Sequence, residues 1–167
     1  MVMRGAYLLN VDHNAAIRWA TAVELLHNAS LVHDDICDGD KVRRGQQAVW
    51  AKFGRHVALT LGDWLIALSF ELASEAAQIA KTPKLVTLLA RHMATTTAGE
   101  AMEFEFDRKN DWDTYLQIAA DKTAPLLTAP LQGVAVMALD ARAEIVVASY
   151  FRYLGKAYQI ANDIMNF

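Results

Sequence analysis

Four aspartates occur within seven residues, after a helical segment rich in apolar residues: Asp34, Asp35, Asp38 and Asp40. Closely spaced carboxylates repel one another, and placing them beside buried apolar surface is costly unless a cation compensates. On a helix, Asp34 and Asp38 lie one turn apart on the same face, and His27 lies on the same stripe. Two carboxylates one turn apart suit a hard, oxygen-preferring ion such as Mg²⁺.

A basic segment follows these acids directly and contains Lys41, Arg43 and Arg44. The guanidinium group of arginine matches the geometry of phosphate oxygens and can donate two hydrogen bonds to them at once. Carboxylates that hold a metal, followed by arginines that hold phosphate, predict a diphosphate as the ligand of this region.

The composition indicates one domain built from long packed helices, spanning residues 1–167. Hydrophobic residues make up 54% of the chain, with only three prolines and eight glycines. The net charge of −3 provides no general basic field, so nucleic acid is not an expected partner. The single Cys37 excludes an internal disulfide framework and is compatible with a reducing cytoplasm.

No secretory signal or transmembrane segment is expected, so we predict a cytoplasmic protein. The most apolar segment, residues 57–73, is interrupted by Asp63 and Glu71, which leaves runs too short to cross a bilayer. The first ten residues are already apolar at helical density, so we expect further helices to precede residue 1.

Hydrophobic periodicity predicts an all-helical chain. The main helices are expected at residues 15–38, 55–81, 83–106, 112–138 and 141–167, with residues 39–50 as a loop. Asp12 and Asn14 are N-cap candidates for the first of these helices, as are Asp111 and Asp113 for the fourth. Pro125 and Pro130 fall inside the fourth of these helices and should kink or divide it. Lys122 and Thr123 lie next to the first proline and are therefore candidates for pointing into a cavity.

A second polar stripe lies near the end of the chain. Its four members share one helical face: Gln159, Asn162, Asp163 and Asn166. Polar residues on one stripe of an apolar helix need partners if they face inward, so the two stripes could face each other across a cavity. For the two asparagines, hydrogen bonding between helices and metal binding both remain open. His27 is likewise either a satisfied buried histidine or a ligand contact.

Four segments, in this order, resemble the trans-isoprenyl diphosphate synthases of the polyprenyl synthetase family. They are Asp34-Asp35-x-x-Asp38 with Arg43-Arg44-Gly45, Gly62-Asp63-Trp64-Leu65, Lys122-Thr123, and Gln159-x-x-Asn162-Asp163-x-x-Asn166. The resemblance implies an all-α bundle of mostly antiparallel helices around a central cavity. It also implies condensation of isopentenyl diphosphate with an allylic prenyl diphosphate, through ionisation, attack by the double bond and loss of a proton.

The resemblance further implies roles for individual residues and about three Mg²⁺ ions. The metal ligands would be Asp34, Asp38 and Asp163. Residues that contact substrate would be Arg4, His27, Arg43, Arg44, Lys122 and Gln159. The catalytic set would be Asp34, Asp35, Asp38, Lys122, Thr123 and Gln159. Small residues at Ala29 and Ser30, one turn before the first motif, resemble those of enzymes whose products are C20 or longer. A homodimer, or a heteromer with a related synthase, is also expected.

Several positions depart from the family pattern. Asn162 and Asn166 replace acids, and a neutral amide is a weaker Mg²⁺ ligand than a carboxylate. The family segment Gly-Gln-x-x-Asp appears as Gly99-Glu100-x-x-Glu103, and we interpret Glu100, Glu103 and Glu105 as a solvated face from which Glu103 could join the cavity. Met1 stands at the position of a family lysine.

These departures leave two alternatives to the prenyltransferase hypothesis. One is a terpene cyclase, or a transferase that uses an acceptor other than isopentenyl diphosphate. The other is a catalytically weak subunit that binds a full-length synthase.

Overall fold

The computed structural model describes residues 1–104 and 111–165 and shows a helical bundle with one short hairpin in these ranges. The elements are α1 (Val2–Leu8), α2 (His13–Asp38), β1 (Val42–Arg43), β2 (Gln46–Gln47), α3 (Val49–Phe53), α4 (Arg55–Ile79), α5 (Lys84–Phe104), α6 (Trp112–Met137) and α7 (Ala141–Met165). The predicted all-α class is confirmed. The predicted ends of the third and fifth long helices, at residues 106 and 167, lie outside the described residues.

Side-chain caps fix the starts of two long helices, as the sequence predicts. Asp12 Oδ1 accepts a 2.9 Å hydrogen bond from the backbone N–H of Ala15 at the start of α2. Asp111 Oδ1 accepts a 2.8 Å bond from the N–H of Thr114 at the start of α6. Gly39 ends α2 in the left-handed conformation that glycine adopts without strain, with φ of 75°.

The segment predicted as a plain loop instead contains an antiparallel hairpin and the start of α3. Val42 pairs with Gln47, and Arg43 pairs with Gln46. The two turn residues, Arg44 and Gly45, both have positive φ, which is the signature of a type I′ hairpin turn. Two-residue strands are too short to produce a detectable alternation of polar and apolar residues. The hairpin folds Arg43 back towards the acids at the end of α2.

The two prolines do not divide α6, so a divided helix is ruled out, while a kink at either proline stays a prediction. Pro125 and Pro130 are both buried inside one continuous helix. Tertiary packing holds the helix together, because both α5 and α7 pack against it. The buried Trp19 of α2 also donates from its indole Nε1 towards the carbonyls of Ala129 and Pro130, at 3.2 Å each.

Glycines allow α2 to lie close to its neighbours. A Cβ on Gly133 of α6 would lie 2.0 Å from Trp19 Cε2, and one on Gly62 of α4 would lie 2.1 Å from His33 Nε2. Both distances are far below van der Waals contact, so a larger residue at either position would force the neighbouring side chain to move. Gly62 belongs to the second motif named above, and its effect is to let α4 pack directly over the His33 side chain.

Among the described residues, α4 is the one helix that is long and apolar enough to cross a membrane by length and composition. The same criterion is met by core helices of soluble proteins, so it is weak support for a membrane span. This helix packs along α2 and α5, and it buries Ala58, Ala73 and Ala76 in the bundle. The absence of a transmembrane segment stays a prediction.

Candidate active site

A cavity of about 600 Å³ lies among α2, α5 and α6, with Ile66 of α4 and Tyr158 of α7 also on its wall. Its charged and hydroxyl-bearing members include Asp34, Glu100, Lys122 and Thr123, near the end of α2. The apolar lining comes from residues on helical turns farther from that cluster: Val23, Leu26, Leu31, Met93, Leu126 and Leu127. The cavity is therefore charged at one end and mostly apolar beyond it, where Glu24 and His27 also lie on the wall.

Lys122 is the cationic centre of the charged end. Its Nζ lies 3.0 Å from Glu100 Oε2 and 3.8 Å from Asp34 Oδ1, and it donates a short hydrogen bond to Glu103 Oε2. Burial would lower the pKa of Lys122, but hydrogen bonds to Glu103 and Glu100 and the charges of both outweigh burial and raise it. The ammonium group therefore stays protonated and neutralises acids on two helices.

The interpretation of Glu100 as part of a solvated face is wrong, because Glu100 lines the cavity and contacts Lys122. Glu103 also contacts Lys122, but it is not among the described residues that line the cavity. A Cβ on Gly99 would lie 2.4 Å from the backbone nitrogen of Lys122, so glycine lets α5 approach α6 closely at this point. That approach brings Glu100 and Glu103 onto Lys122. The sequence carries no signal for these contacts, because the spacing of residues along α5 does not show which helix it will face. Glu105 lies outside the described residues.

Asp34, Asp38 and Glu100 form a group that could hold a metal ion. One carboxylate oxygen of each lies within 4.8 Å of those of the other two. Burial and the neighbouring charge of Asp34 raise the pKa of Asp38, while burial raises the pKa of Glu100 above its ordinary value. Crowded carboxylates with raised pKa values gain from a cation, and their oxygens fit the preference of Mg²⁺.

Arg43 contacts two acids of the first motif. Its Nε donates a 2.6 Å hydrogen bond to Asp35 Oδ1, and one terminal nitrogen donates a 2.9 Å bond to Asp34 Oδ2. Burial opposes its charge, but the hydrogen bond and charge of Asp35 raise the pKa of Arg43. Asp35 is 3% exposed and faces Arg43, so in this structure it orients the arginine beside the cavity.

The other residues predicted to bind phosphate differ in their position relative to the cavity. His27 lines the cavity and is half-buried, and burial together with the charges of Arg44 and Arg43 lowers its pKa against the opposing effect of Glu24. Arg44 is exposed at the hairpin turn, and Arg4 is exposed on α1. Neither arginine is among the described residues that line the cavity.

The second polar stripe reaches the cavity through Thr123. Thr123 Oγ1 donates a 2.8 Å hydrogen bond to Oε1 of the buried Gln159, and Gln159 Nε2 donates a 2.8 Å bond to Asp163 Oδ1. The other Asp163 oxygen, Oδ2, accepts a 2.5 Å bond from the Tyr115 hydroxyl. The adjacent residues Lys122 and Thr123 thus connect the acids of α2 and α5 to the stripe on α7.

The second polar stripe contains two asparagines, and the structure describes one of them. Asn162 is half-buried on α7, whereas Asn166 lies outside the described residues. Among the described residues, Asp163 does not belong to the carboxylate group formed by Asp34, Asp38 and Glu100. Its role as a metal ligand stays a prediction.

The two residues predicted to set product length differ in position. Ser30 lines the cavity, and its Oγ donates a 2.8 Å hydrogen bond to the His27 carbonyl. Ala29 is fully buried and is not among the described lining residues. Any effect of Ala29 on the cavity must therefore act through its neighbours.

The whole chain, residues 1–167, matches the family model described as Polyprenyl synthetase. The chain belongs to this family. It is 34% identical over 163 residues to a short chain isoprenyl diphosphate synthase of Methanocaldococcus jannaschii, covering 96% of this chain and 50% of the relative. It is 35% identical over 167 residues to a geranylgeranyl diphosphate synthase of Saccharolobus solfataricus, covering 95% and 49%.

Solved structures show the same fold. An isoprenoid synthase family member from Thermotoga neapolitana superposes with a TM-score of 0.89 at 27% identity, covering 99% of this chain and 64% of that one. A polyprenyl synthase from Caulobacter crescentus, complexed with calcium and isoprenyl diphosphate, gives a TM-score of 0.86 at 33% identity, with 95% and 48% coverage. The chain spans about half the length of the curated relatives it matches.

Proposed function

We propose that this chain carries the active site of a Mg²⁺-dependent prenyltransferase that condenses isopentenyl diphosphate with an allylic prenyl diphosphate. The observation that carries the proposal is the cluster of Lys122, Asp34 and Glu100 at the end of an apolar cavity of about 600 Å³. Such a cavity suits a hydrocarbon chain attached to a polyanionic head. The names of the relatives, including a geranylgeranyl diphosphate synthase, support this substrate class.

Asp34 and Asp38 from α2 and Asp163 from α7 would hold the Mg²⁺ ions, of which about three are expected. When bound, the ions would stabilise the negative charge that develops on the diphosphate leaving group. Lys122 adds a fixed positive charge at the same end of the cavity, because its raised pKa keeps it protonated. Thr123 and Gln159 would lie beside the reacting carbons, held in place by their mutual 2.8 Å hydrogen bond.

Isopentenyl diphosphate would bind on the side of the hairpin, where Arg43, Arg44 and His27 lie, with Arg4 as a further contact. Arg43 has five N–H groups, and its bonds to Asp34 and Asp35 leave others for phosphate oxygens. Asp35 would then act by orienting Arg43, since its buried carboxylate contacts the guanidinium group. The apolar walls would accept the growing chain and exclude water from the allylic cation.

Three finer features belong to the same proposal. The product would be C20 or longer, because the small Ser30 lines the cavity, where a bulky side chain would shorten the space for a hydrocarbon chain. The protein would work in the cytoplasm, and it would form a homodimer or pair with a related synthase. Exposed apolar side chains on α4 and α7, such as Trp64 and Tyr153, offer surface for such pairing.

The deciding experiment incubates the purified chain with farnesyl diphosphate, isopentenyl diphosphate and Mg²⁺ and identifies products by mass spectrometry. We expect longer prenyl diphosphates, and none after chelation of the metal. Hydrocarbon or alcohol formed from the allylic diphosphate alone would instead indicate a terpene cyclase.

A second candidate is a partner subunit with little activity of its own. It is favoured by the neutral Asn162 and Asn166 in the second motif, because an amide is a weaker Mg²⁺ ligand than a carboxylate. Under this alternative the chain alone gives no turnover and co-purifies with an active synthase.

A further inference from the structure

We propose that Glu100 is a direct carboxylate ligand of the divalent cation held by Asp34 and Asp38, so that α5 supplies a metal ligand together with α2. This inference rests on the proposed function for the identity of the metal. It concerns a position at which the family segment named above carries glutamine, and where this chain carries an acid.

The first support is geometric. Asp34, Asp38 and Glu100 each place one carboxylate oxygen within 4.8 Å of the other two, a spacing close to that of three ligands on one ion. Oxygen ligands bind Mg²⁺ at about 2.1 Å, so two oxygens on the same ion lie up to about 4.2 Å apart, and small side-chain adjustments suffice.

The second support is an unsatisfied atom. Glu100 Oε1 is buried and lacks a hydrogen-bond partner among the described residues, whereas Oε2 faces Lys122 at 3.0 Å. Buried carboxylate oxygens are normally hydrogen-bonded or bound to a cation, because the loss of hydration is otherwise uncompensated. A divalent ion at the Asp34–Asp38 pair would provide the missing partner.

The third support is the balance of charge. Five carboxylates crowd this end of the cavity: Asp34, Asp35, Asp38, Glu100 and Glu103. Two cationic side chains, Lys122 and Arg43, contact members of this group. The excess negative charge attracts a divalent cation. A glutamine at position 100 would remove one negative charge while keeping the size of the side chain.

Rigid packing fixes the ligand in place. The Gly99 backbone approaches α6 so closely that an added Cβ would lie 2.4 Å from Lys122 N and 2.6 Å from the Asp121 carbonyl carbon. The next residue, Glu100, is thereby held at the junction of α5 and α6, facing Lys122 and the acids of α2. A ligand held by helix packing binds metal with little loss of conformational freedom.

The test titrates the purified chain with Mn²⁺ alone and reads the free ion by electron paramagnetic resonance, without substrate. We expect Glu100→Gln to raise the Kd for Mn²⁺ by about tenfold or more, the scale on which metal sites respond to altered ligands and their supports. The matched control is Glu103→Gln on the same helix, which removes one negative charge and a Lys122 contact but lies outside the three-carboxylate group; it measures the effect of charge alone and should weaken Mn²⁺ binding clearly less than Glu100→Gln does. Circular dichroism checks that both variants fold.

Asp34→Asn serves as the reference that should lose Mn²⁺ binding. If Glu100→Gln keeps the wild-type Kd while Asp34→Asn loses binding, the inference about Glu100 is overturned and the proposed function stands. Equal weakening by Glu100→Gln and Glu103→Gln would also overturn it, because that result reflects general charge and not ligation. Conversely, a chain that binds Mn²⁺ through Glu100 but transfers no prenyl group would refute the proposed function alone.

Discussion

The Tyr115 hydroxyl donates a 2.5 Å hydrogen bond to Asp163 Oδ2, which ties α6 to α7 at the second polar stripe. Because Gln159 Nε2 donates to Asp163 Oδ1, both oxygens of this carboxylate are held in a fixed orientation. Each oxygen keeps a further lone pair for a cation. Burial, together with the hydrogen bond and charge of Asp163, raises the pKa of Tyr115 to about 12, so the phenol remains a donor at neutral pH.

Tyr115→Phe should therefore weaken metal binding that depends on Asp163. Groups that orient a metal ligand typically contribute about 10–100-fold to affinity or activity, and we expect a loss in that range. The measurement is Mn²⁺ affinity in the presence of an unreactive diphosphate analogue. Tyr153→Phe, at an exposed position on α7, is the control and should behave like the wild type. Equal affinities in all three proteins would show that Tyr115 does not position Asp163.

Asp34→Ala should abolish Mg²⁺-dependent diphosphate binding. Asp34 contacts both Arg43, at 2.9 Å, and Lys122, at 3.8 Å, and it belongs to the carboxylate group that fits a metal. Isothermal titration calorimetry with inorganic pyrophosphate and Mg²⁺ measures the effect. Asp113→Ala, an exposed acid in the first turn of α6, should leave the affinity within about twofold of the wild type. Unchanged affinity in Asp34→Ala would contradict the assigned site.

Much of the fold could be predicted from the sequence, because long amphipathic helices repeat a simple period. The starts of α2 and α6 followed from capping by Asp12 and Asp111, which are local interactions. The continuity of α6 through Pro125 could not be predicted, since it depends on the helices packed around it. The hairpin around Arg44 was missed because its strands are only two residues long.

The site shows the same division between local and distant interactions. The acids and arginines of α2 and the following hairpin were visible as one dense segment. The contacts of Lys122 with Glu100 and Glu103 were not, because they depend on the close crossing of α5 and α6 at Gly99. Spacing along one helix gives no information on which neighbour it will face. The Arg43 contact with Asp35 likewise required the hairpin turn.

Gly99→Ala should damage both stability and metal binding. The added methyl group would lie 2.4 Å from the backbone nitrogen of Lys122, so α5 must move away from α6 and carry Glu100 with it. Overpacking of this kind costs about 1–3 kcal/mol in the free energy of unfolding, which urea denaturation can measure. Ala98→Ser changes the exposed neighbouring position and should stay within about 0.5 kcal/mol of the wild type. A stable Gly99→Ala protein with normal Mn²⁺ affinity would contradict this account of the helix crossing.

His92 should make the folded protein less stable in mild acid. Its Nε2 lies 2.8 Å from Gln132 Oε1, and burial lowers the pKa of His92 below 6.5 although this hydrogen bond opposes the change. In the unfolded chain His92 takes up a proton near its ordinary pKa of 6.5, whereas in the folded protein it does so only at lower pH. The free energy of unfolding therefore falls as the pH drops below about 6.5. His92→Gln should reduce the difference between urea unfolding at about pH 7.5 and at about pH 5.5. His56→Gln, at an exposed position on α4, should keep the wild-type difference, and an unaltered difference in His92→Gln would assign the acid sensitivity to other groups.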